Sequence, residues 1–196
     1  MAPSPVTALV LCGGRSRRLG PDGADKTAAR LGDTTVLDHL LDALPPEWPV
    51  VAVGVQRPTV RDVRWTRESP AGGGPVAALA TGLALVDTML VVVLAGDMPF
   101  AAAAATGVAA TLGHDGTTEA AVAVDPDGRA NPLLAAYRTA ALRHALPDAP
   151  ANVPARSLLI LRHETVAVDA LAALDVDTPE ALATARRLVL GDAGRP

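Results

Sequence analysis

Residues 89–95 read Met-Leu-Val-Val-Val-Leu-Ala and form the longest uninterrupted apolar run of this 196-residue sequence. Because no polar residue alternates with the apolar ones, the run predicts a strand buried on both faces, as in a parallel sheet. Residues 6–12 and 50–55 have the same apolar character and predict two further strands. Gly96 and Asp97 follow the longest run directly, so a carboxylate leaves the predicted sheet at the end of its most apolar strand.

Helical segments separate these strands and continue to the end of the sequence. The helices are predicted at residues 35–44, 75–86, 101–112, 139–145 and 156–161. Further strands are predicted at residues 120–124, 132–137 and 165–168. A last helix begins at Pro179 with Thr178 as its N-cap, and Gly191 is expected to end it near Leu190. This alternation predicts a single α/β domain over residues 1–196, with an ordered core at about 6–190 and a mostly parallel sheet.

Composition excludes several classes of protein. The 17 Lys and Arg against 21 Asp and Glu leave a net charge of -4, unlike the basic surface of a nucleic-acid-binding domain. One cysteine, Cys12, rules out a disulfide framework within the chain. No apolar run approaches the roughly 20 residues that a membrane-spanning helix needs. The sequence therefore predicts a soluble cytoplasmic protein without nucleic-acid or membrane partners, as a monomer or weak oligomer.

A glycine-rich basic loop follows the first strand. Residues 13–20 read Gly-Gly-Arg-Ser-Arg-Arg-Leu-Gly, and Asp25 and Lys26 come shortly after. Glycines let a backbone approach a ligand closely, and clustered cations in an acidic chain suit a polyphosphate. The spacing matches neither the dinucleotide-binding fingerprint nor the P-loop. The alternative is a solvated basic loop without a ligand.

Asp97 is the candidate metal ligand. Mg²⁺ is commonly held by one or two carboxylates together with substrate phosphates and water. In isolation, an Asp in an ordinary turn would explain the residue equally well. The basic glycine loop on the neighbouring strand favours the metal site.

Two later segments are candidates to complete such a site. Residues 72–74 are three glycines before a helix, which permit close contact between backbone and ligand, although a flexible connector has the same composition. Asp175 and Asp177 share one face if their segment is extended, so either could add a second metal carboxylate. The alternative role of Asp177 is to support the start of the last helix.

Four motifs, in this order, resemble those of the MobA-like nucleotidyltransferases. Residues 11–20, Leu-Cys-Gly-Gly-Arg-Ser-Arg-Arg-Leu-Gly, resemble the first motif together with Asp25 and Lys26. The others are Gly-Gly-Gly-Pro-Val-Ala-Ala-Leu at 72–79, Ala-Gly-Asp-Met-Pro-Phe at 95–100 and Asp-Val-Asp-Thr-Pro-Glu-Ala-Leu at 175–182. Their order and spacing cover about residues 6–190, nearly the whole chain.

The resemblance implies a Rossmann-like three-layer sandwich of the nucleotidyltransferase type. It also implies Mg²⁺-dependent transfer of a nucleoside monophosphate from an NTP to a phosphorylated acceptor. The best-known members are molybdenum cofactor guanylyltransferases, which join GMP from GTP to Mo-molybdopterin and release pyrophosphate. The chain is therefore expected to act in molybdenum cofactor biosynthesis.

The same resemblance implies roles for individual residues. Arg18 and Lys26 would hold the triphosphate, and Asp97 would hold Mg²⁺ beside it. The acceptor-binding residues would be Asn131, Asp175 and Asp177. Further nucleotide contacts would come from Leu11, Cys12, Gly13, Gly14, Arg15, Ser16, Gly54, Glu68 and Gly74.

Some positions depart from the family's pattern. Cys12 replaces an alanine, and the spacer before Asp25 and Lys26 is about two residues longer than usual. Gly54 stands where a nucleotide-contacting Asn is common and has no side chain to read a base. Transfer from CTP, or to another phosphate acceptor, therefore remains an alternative. A third hypothesis is a nucleotide-binding regulatory protein without turnover. The presence of both Asp97 and Lys26 disfavours it.

Overall fold

The structure is a computed structural model that describes residues 6–13, 25–69, 71–114 and 117–192. Most of the predicted glycine-rich loop, including Gly14, Arg15, Ser16 and Arg18, lies outside these described residues. The expectations for those four positions therefore stay predictions.

The first half of the chain contains four parallel strands of the main sheet, together with helices and a short hairpin. Its elements are β1 (Val6–Leu11), β2 (Arg30–Leu31), β3 (Thr34–Thr35), α1 (Val36–Ala43), β4 (Val50–Val53), β5 (Arg64–Thr66), α2 (Pro75–Leu83) and β6 (Leu90–Ala95). A short 3₁₀ helix, Lys26–Ala28, precedes β2. The strand β5 and the hairpin of β2 and β3 have no counterpart in the sequence prediction, because two or three mostly polar residues show no periodicity.

The second half adds three strands and three α-helices. They are α3 (Ala102–His114), β7 (Ala120–Val124), β8 (Ala130–Arg138), α4 (Thr139–Ala145), β9 (His163–Ala167) and α5 (Pro179–Asp192). The predicted helix at 156–161 is a 3₁₀ helix, Ala155–Ile160. Thr178 caps α5, because its Oγ1 accepts from Ala181 N at 3.2 Å. The expected end of that helix at Gly191 is wrong, since the helix continues through this glycine.

One seven-stranded sheet carries the fold, in the order β5-β4-β1-β6-β8-β7-β9. Only β8 runs antiparallel to its neighbours, so the prediction of a mostly parallel α/β sheet is confirmed. Helices α1 and α3 pack on one face and α2 and α4 on the other, which makes three layers. Among the described residues, no helix is both long and apolar enough to cross a bilayer.

Pro132 explains an irregularity in β8. The pairing with β7 changes register between Val122, opposite Ala135, and Ala123, opposite Asn131. A proline lacks the N–H that a regular ladder needs, so it is tolerated where the ladder is interrupted. Such bulges also change the direction of neighbouring side chains.

A third, smaller apolar cluster attaches the C-terminal segment to the rest of the domain. Its buried members are Leu31, Val36, Val176 and Ala185, which join β2, the start of α1 and α5. Val176 N also donates to the backbone oxygen of Asp97 at 2.9 Å. The segment before α5 therefore lies against the loop that follows β6.

Candidate functional site

The site begins where β1 and β6 end side by side. These strands are parallel, and Leu11 lies opposite Ala95. Gly96 N donates to Leu11 O at 2.9 Å, so the loops of Gly13 and Asp97 leave the same edge of the sheet. A Cβ atom at Gly96 would lie 3.1 Å from Cys12 Sγ and 3.3 Å from Thr27 Cγ2. The absence of a side chain at Gly96 lets the two loops and the 3₁₀ helix pack together.

Lys26 joins two carboxylates that are far apart in sequence. Its ammonium group forms ion pairs with Asp97 Oδ2 and Asp177 Oδ1. Asp97 is only 6% exposed, so its negative charge is stabilised by the Lys26 ammonium group rather than by water. Partial burial acts to lower the pKa of Lys26. The negative charge of Asp97, with a contribution from Asp177, outweighs this effect and raises the pKa. Lys26 is thus a firmly protonated cation at this edge of the sheet.

Asp175 and Asp177 lie on one side of their segment, the arrangement that the sequence analysis made conditional on an extended backbone. Val176 between them is fully buried, so the two carboxylates project to the other side, towards Asp97. Partial desolvation raises the pKa of Asp175, and the nearby charges of Asp177 and Asp97 raise it further. Asp175 therefore adds a third carboxylate beside the two that pair with Lys26, and the local excess of negative charge favours an additional cation.

A cavity of about 460 Å³ opens beside this cluster. Its polar lining consists of Lys26, Asp97, Asp125, Arg129, Asn131, Asp175 and Asp177. Its apolar lining includes Ala95, Ala123, Leu133, Leu134 and Val168. The structure thus brings together the five predicted residues Lys26, Asp97, Asn131, Asp175 and Asp177.

Asn131 is held at the cavity wall by its own strand. Its Oδ1 accepts from Leu133 N at 2.9 Å, and its Nδ2 lies 3.6 Å from Met98 Sδ. The first contact satisfies a backbone donor that the bulge in β8 leaves without a strand partner. The weak second contact leaves the amide able to donate a stronger hydrogen bond to a ligand.

Those other predicted nucleotide contacts that fall within the described residues do not line this cavity. Leu11, Cys12 and Gly13 lie at the end of β1, and burial raises the pKa of the Cys12 thiol to about 12. Glu68 accepts from Gly72 N at 2.7 Å, which holds the glycine segment in a turn. Gly74, with a φ of 88°, is the N-cap of α2. No ligand contact of these residues is tested by the structure.

Gly54 packs directly on Cys12. A Cβ atom at Gly54 would lie 2.9 Å from Cys12 Cβ and 3.1 Å from Cys12 O. The second contact involves backbone and cannot be relieved by a side-chain rotation. Gly54 is therefore a packing requirement between β4 and β1, whatever its place in a nucleotide site.

Gly54→Ala is expected to lower the free energy of unfolding by about 1–3 kcal/mol, because a methyl group is forced into a filled space. Gly107→Ala is the matched control, since no atom lies within 4 Å of the added Cβ in α3. That control should raise stability by up to about 1 kcal/mol through helix propensity. Urea denaturation measures both, and equal effects of the two substitutions would contradict the close packing at Gly54.

Two arginines of this region are absent from the sequence prediction. Arg129, in the turn between β7 and β8, lines the cavity and pairs with Asp127. Arg57, in the loop after β4, binds Asp25 and Thr27 on either side of Lys26. Both follow strands at the carboxyl edge of the sheet, which is the only signal that could have indicated them.

The carboxylates fit a Mg²⁺ ion that is completed by substrate. Asp97 and Asp177 already converge on one cation, the Lys26 ammonium group. Within the described ranges, no three His, Cys, Asp or Glu side chains are arranged to hold a metal ion by themselves. Oxygen ligands from one or two carboxylates, with phosphates and water, are the usual environment of Mg²⁺.

Comparison with known proteins gives a consistent result. A family model described as MobA-like NTP transferase domain matches residues 8–168. A molybdenum cofactor guanylyltransferase of Mesorhizobium japonicum is 33% identical over 204 residues, covering 94% of this chain and 96% of that protein. The structure of molybdopterin-guanine dinucleotide biosynthesis protein A from Archaeoglobus fulgidus superposes with a TM-score of 0.69 at 21% identity, covering 94% of this chain and 99% of that one. A nucleotidyl transferase from Methanothermobacter gives 0.74 at 19% identity, with 95% and 98% covered. These two structures share the fold.

Proposed function

This chain belongs to the MobA-like NTP transferase family and is a nucleotidyltransferase, and we propose that it transfers GMP from GTP to Mo-molybdopterin in molybdenum cofactor biosynthesis. Membership of the family confirms the resemblance carried by the four sequence motifs. The observation that supports the reaction best is the cluster of Lys26, Asp97 and Asp177 at the ends of β1 and β6, beside a cavity large enough for a second substrate.

The chemistry needs no protein nucleophile. A terminal phosphate oxygen of the acceptor attacks the α-phosphorus of GTP, and the bond to the β-phosphate oxygen breaks to release pyrophosphate. The attacking oxygen is already anionic, so the protein's task is to position the two substrates and to neutralise charge. When bound by Asp97 and Asp177, Mg²⁺ supplies charge neutralisation at the phosphate oxygens.

In this proposal, Lys26 has one set of partners in the free protein and another in the complex with substrate. In the free protein its ammonium group compensates Asp97 and Asp177. In the complex, Asp97 and Asp177 would hold the divalent cation and Lys26 would bind the outer phosphates of GTP. Arg18, in the part of the loop outside the described residues, is proposed to act with it.

The cavity is proposed to bind the acceptor. Its mixed lining of apolar and polar side chains suits a flat polar heterocycle, and Arg129, which pairs with Asp127 in the free protein, is a cation that an acceptor phosphate can bind. That charge answers an electrostatic difficulty, since Asp175 and Asp177 would repel a phosphorylated acceptor without a cation nearby. The identity of the NTP base is less constrained than that of the acceptor, because Gly54 offers no side chain to contact a base. Cytidylyl transfer from CTP is therefore the alternative.

Pyrophosphate release tests the proposed function. The purified protein is incubated with Mg²⁺ and each of the four NTPs, with and without the molybdopterin-type acceptor. We expect release with GTP only when the acceptor is present. Release with CTP instead would establish the cytidylyl alternative. Binding of an NTP without release under any condition would show a binding protein that has lost turnover.

Asn131→Ala is expected to raise the KM for the acceptor about fivefold or more and to leave the Kd for GTP unchanged. One hydrogen bond to a neutral partner contributes about 1 kcal/mol, and its loss acts only on the substrate that it contacts. Steady-state kinetics with each substrate varied in turn measures this. Thr111→Ala is the control, because the Thr111 hydroxyl bonds Gly107 O within α3. An equal loss of GTP affinity would place Asn131 at the nucleotide.

A further inference from the structure

Arg57 lies in the loop after β4, outside the cluster to which the proposed function assigns the chemistry. Its guanidinium group forms two short contacts with the segment that contains Lys26. Arg57 Nη1 lies 2.6 Å from Asp25 Oδ2, and Arg57 Nη2 lies 2.7 Å from Thr27 Oγ1. The two partners are the residues immediately before and after Lys26.

These contacts close a small network around the start of the 3₁₀ helix. Asp25 Oδ1 accepts from Thr27 N at 3.0 Å and from Thr27 Oγ1 at 2.6 Å. Asp25 and Thr27 are thus tied to each other and, by separate nitrogens of one planar group, to Arg57. A two-point attachment restricts rotation of the segment as well as its distance from the sheet.

The other side of the guanidinium group rests on the edge of the sheet. Arg57 Cζ lies 5.6 Å from the centre of the Trp65 ring in β5, within the range of a cation–π interaction. The Arg57 side chain is 18% exposed, so water competes little for its contacts. Thr27, at the far end of the network, is buried beside Gly96, the residue before Asp97.

We propose that Arg57 is a positioning residue that fixes Lys26 relative to Asp97 and to the phosphates of the NTP. This inference rests on the proposed role of Lys26 in binding the triphosphate. Arg57 contributes geometry rather than charge, because Asp25 neutralises it. Lysine cannot replace it, since a single ammonium group lacks the planar fork that spans Asp25 and Thr27.

A double-mutant cycle between Arg57 and Lys26 tests the inference, with Kd values for GTP and GMP measured by calorimetry. Lys26→Met should remove most of the preference for GTP over GMP. Arg57→Met should reduce that preference about tenfold, the lower end of the contribution of a charged hydrogen bond. Arg57→Lys should restore little of it. In the Lys26→Met background, Arg57→Met should change the preference by less than about twofold, because Lys26 is no longer there to be positioned.

Arg61→Met is the matched control. Arg61 lies on the same loop but donates to five backbone oxygens, those of Leu41, Leu44, Pro45, Pro46 and Trp48. Its loss should lower Tm without changing the ratio of the two Kd values. If Arg57→Met does not fold, Arg57→Gln keeps a polar side chain and enters the same cycle.

Three outcomes would overturn the inference in distinguishable ways. An Arg57 effect of equal size with and without Lys26 would show that Arg57 does not act through Lys26. Equal losses of GTP and GMP affinity would show that Arg57 itself contacts the part of the nucleotide that GTP and GMP share. Its buried Nε, which has no hydrogen-bond partner among the described residues, would be the atom available for such a contact. An unchanged GTP preference in Lys26→Met would remove the proposed role of Lys26, and with it the reason for positioning.

Discussion

Asp97→Ala is expected to reduce kcat about a thousandfold or more while the protein stays folded. The carboxylate is proposed to hold the metal ion, whose stabilisation of developing charge contributes several kcal/mol to phosphoryl-transfer reactions. Folding should persist because the Asp97 contact that holds the C-terminal segment uses its backbone oxygen, which accepts from Val176 N at 2.9 Å. The substitution leaves this bond in place.

Pyrophosphate release and Mn²⁺ titration measure the two parts of this prediction. Pyrophosphate release and Mn²⁺ binding should be lost together in Asp97→Ala and in the nearly isosteric Asp97→Asn. Asp87→Asn is the control, since Asp87 is a highly exposed carboxylate before β6, at the opposite end of that strand. Near-normal turnover of either Asp97 variant would remove this residue from the metal site.

Lys26→Met is expected to have opposite effects on nucleotide and on metal. Affinity for GTP should fall roughly 10- to 150-fold, the range for a hydrogen bond to a charged group, while affinity for GMP changes little. Affinity for Mn²⁺ without nucleotide should rise, because the ammonium group that competes for Asp97 and Asp177 is gone. The free protein should be less stable than the parent, since both carboxylates lose their partner. Mn²⁺ should restore that stability.

Calorimetry with GTP, GMP and Mn²⁺ separates these effects, and thermal unfolding with and without Mn²⁺ checks the last one. Lys26→Arg keeps a cation between the carboxylates, so its Mn²⁺ affinity should stay near that of the parent. Unchanged Mn²⁺ affinity in Lys26→Met would show that the metal does not bind where the ammonium group lies. Equal losses for GTP and GMP would show that Lys26 does not contact the outer phosphates.

Lys26 also offers a direct chemical measurement, because it is the only lysine of the chain. An amine-selective reagent can modify only its side chain and the N-terminal amine. The pKa of Lys26 is raised, chiefly by Asp97 against the effect of burial, so the unprotonated form that reacts is scarce. Slow modification in the parent and faster modification in Asp97→Ala would connect the reactivity to the ion pair.

Local sequence determined the elements from which the site is built. The apolar runs at 6–12 and 89–95 are long enough to be buried strands, and both are strands in the structure. Charged or glycine residues directly after them predicted where a ligand site would lie. The alternation of Asp175 and Asp177 predicted their shared direction, and buried Val176 between them confirms it. Each of these inferences uses neighbours within a few residues, where backbone geometry sets the spacing.

Tertiary structure decided which of these residues meet. Lys26 and Asp177 are 151 positions apart, and no periodicity relates them. Their contact depends on the order of the strands in the sheet and on the backbone hydrogen bond from Val176 N to Asp97 O. The contacts of Arg57 depend on how the loop after β4 packs against the 3₁₀ helix of Lys26. The packing role of Gly54 could not be predicted from sequence, because only the fold places this residue on Cys12. Long-range contacts depend on how the whole chain fills space, and a single sequence records that packing only indirectly.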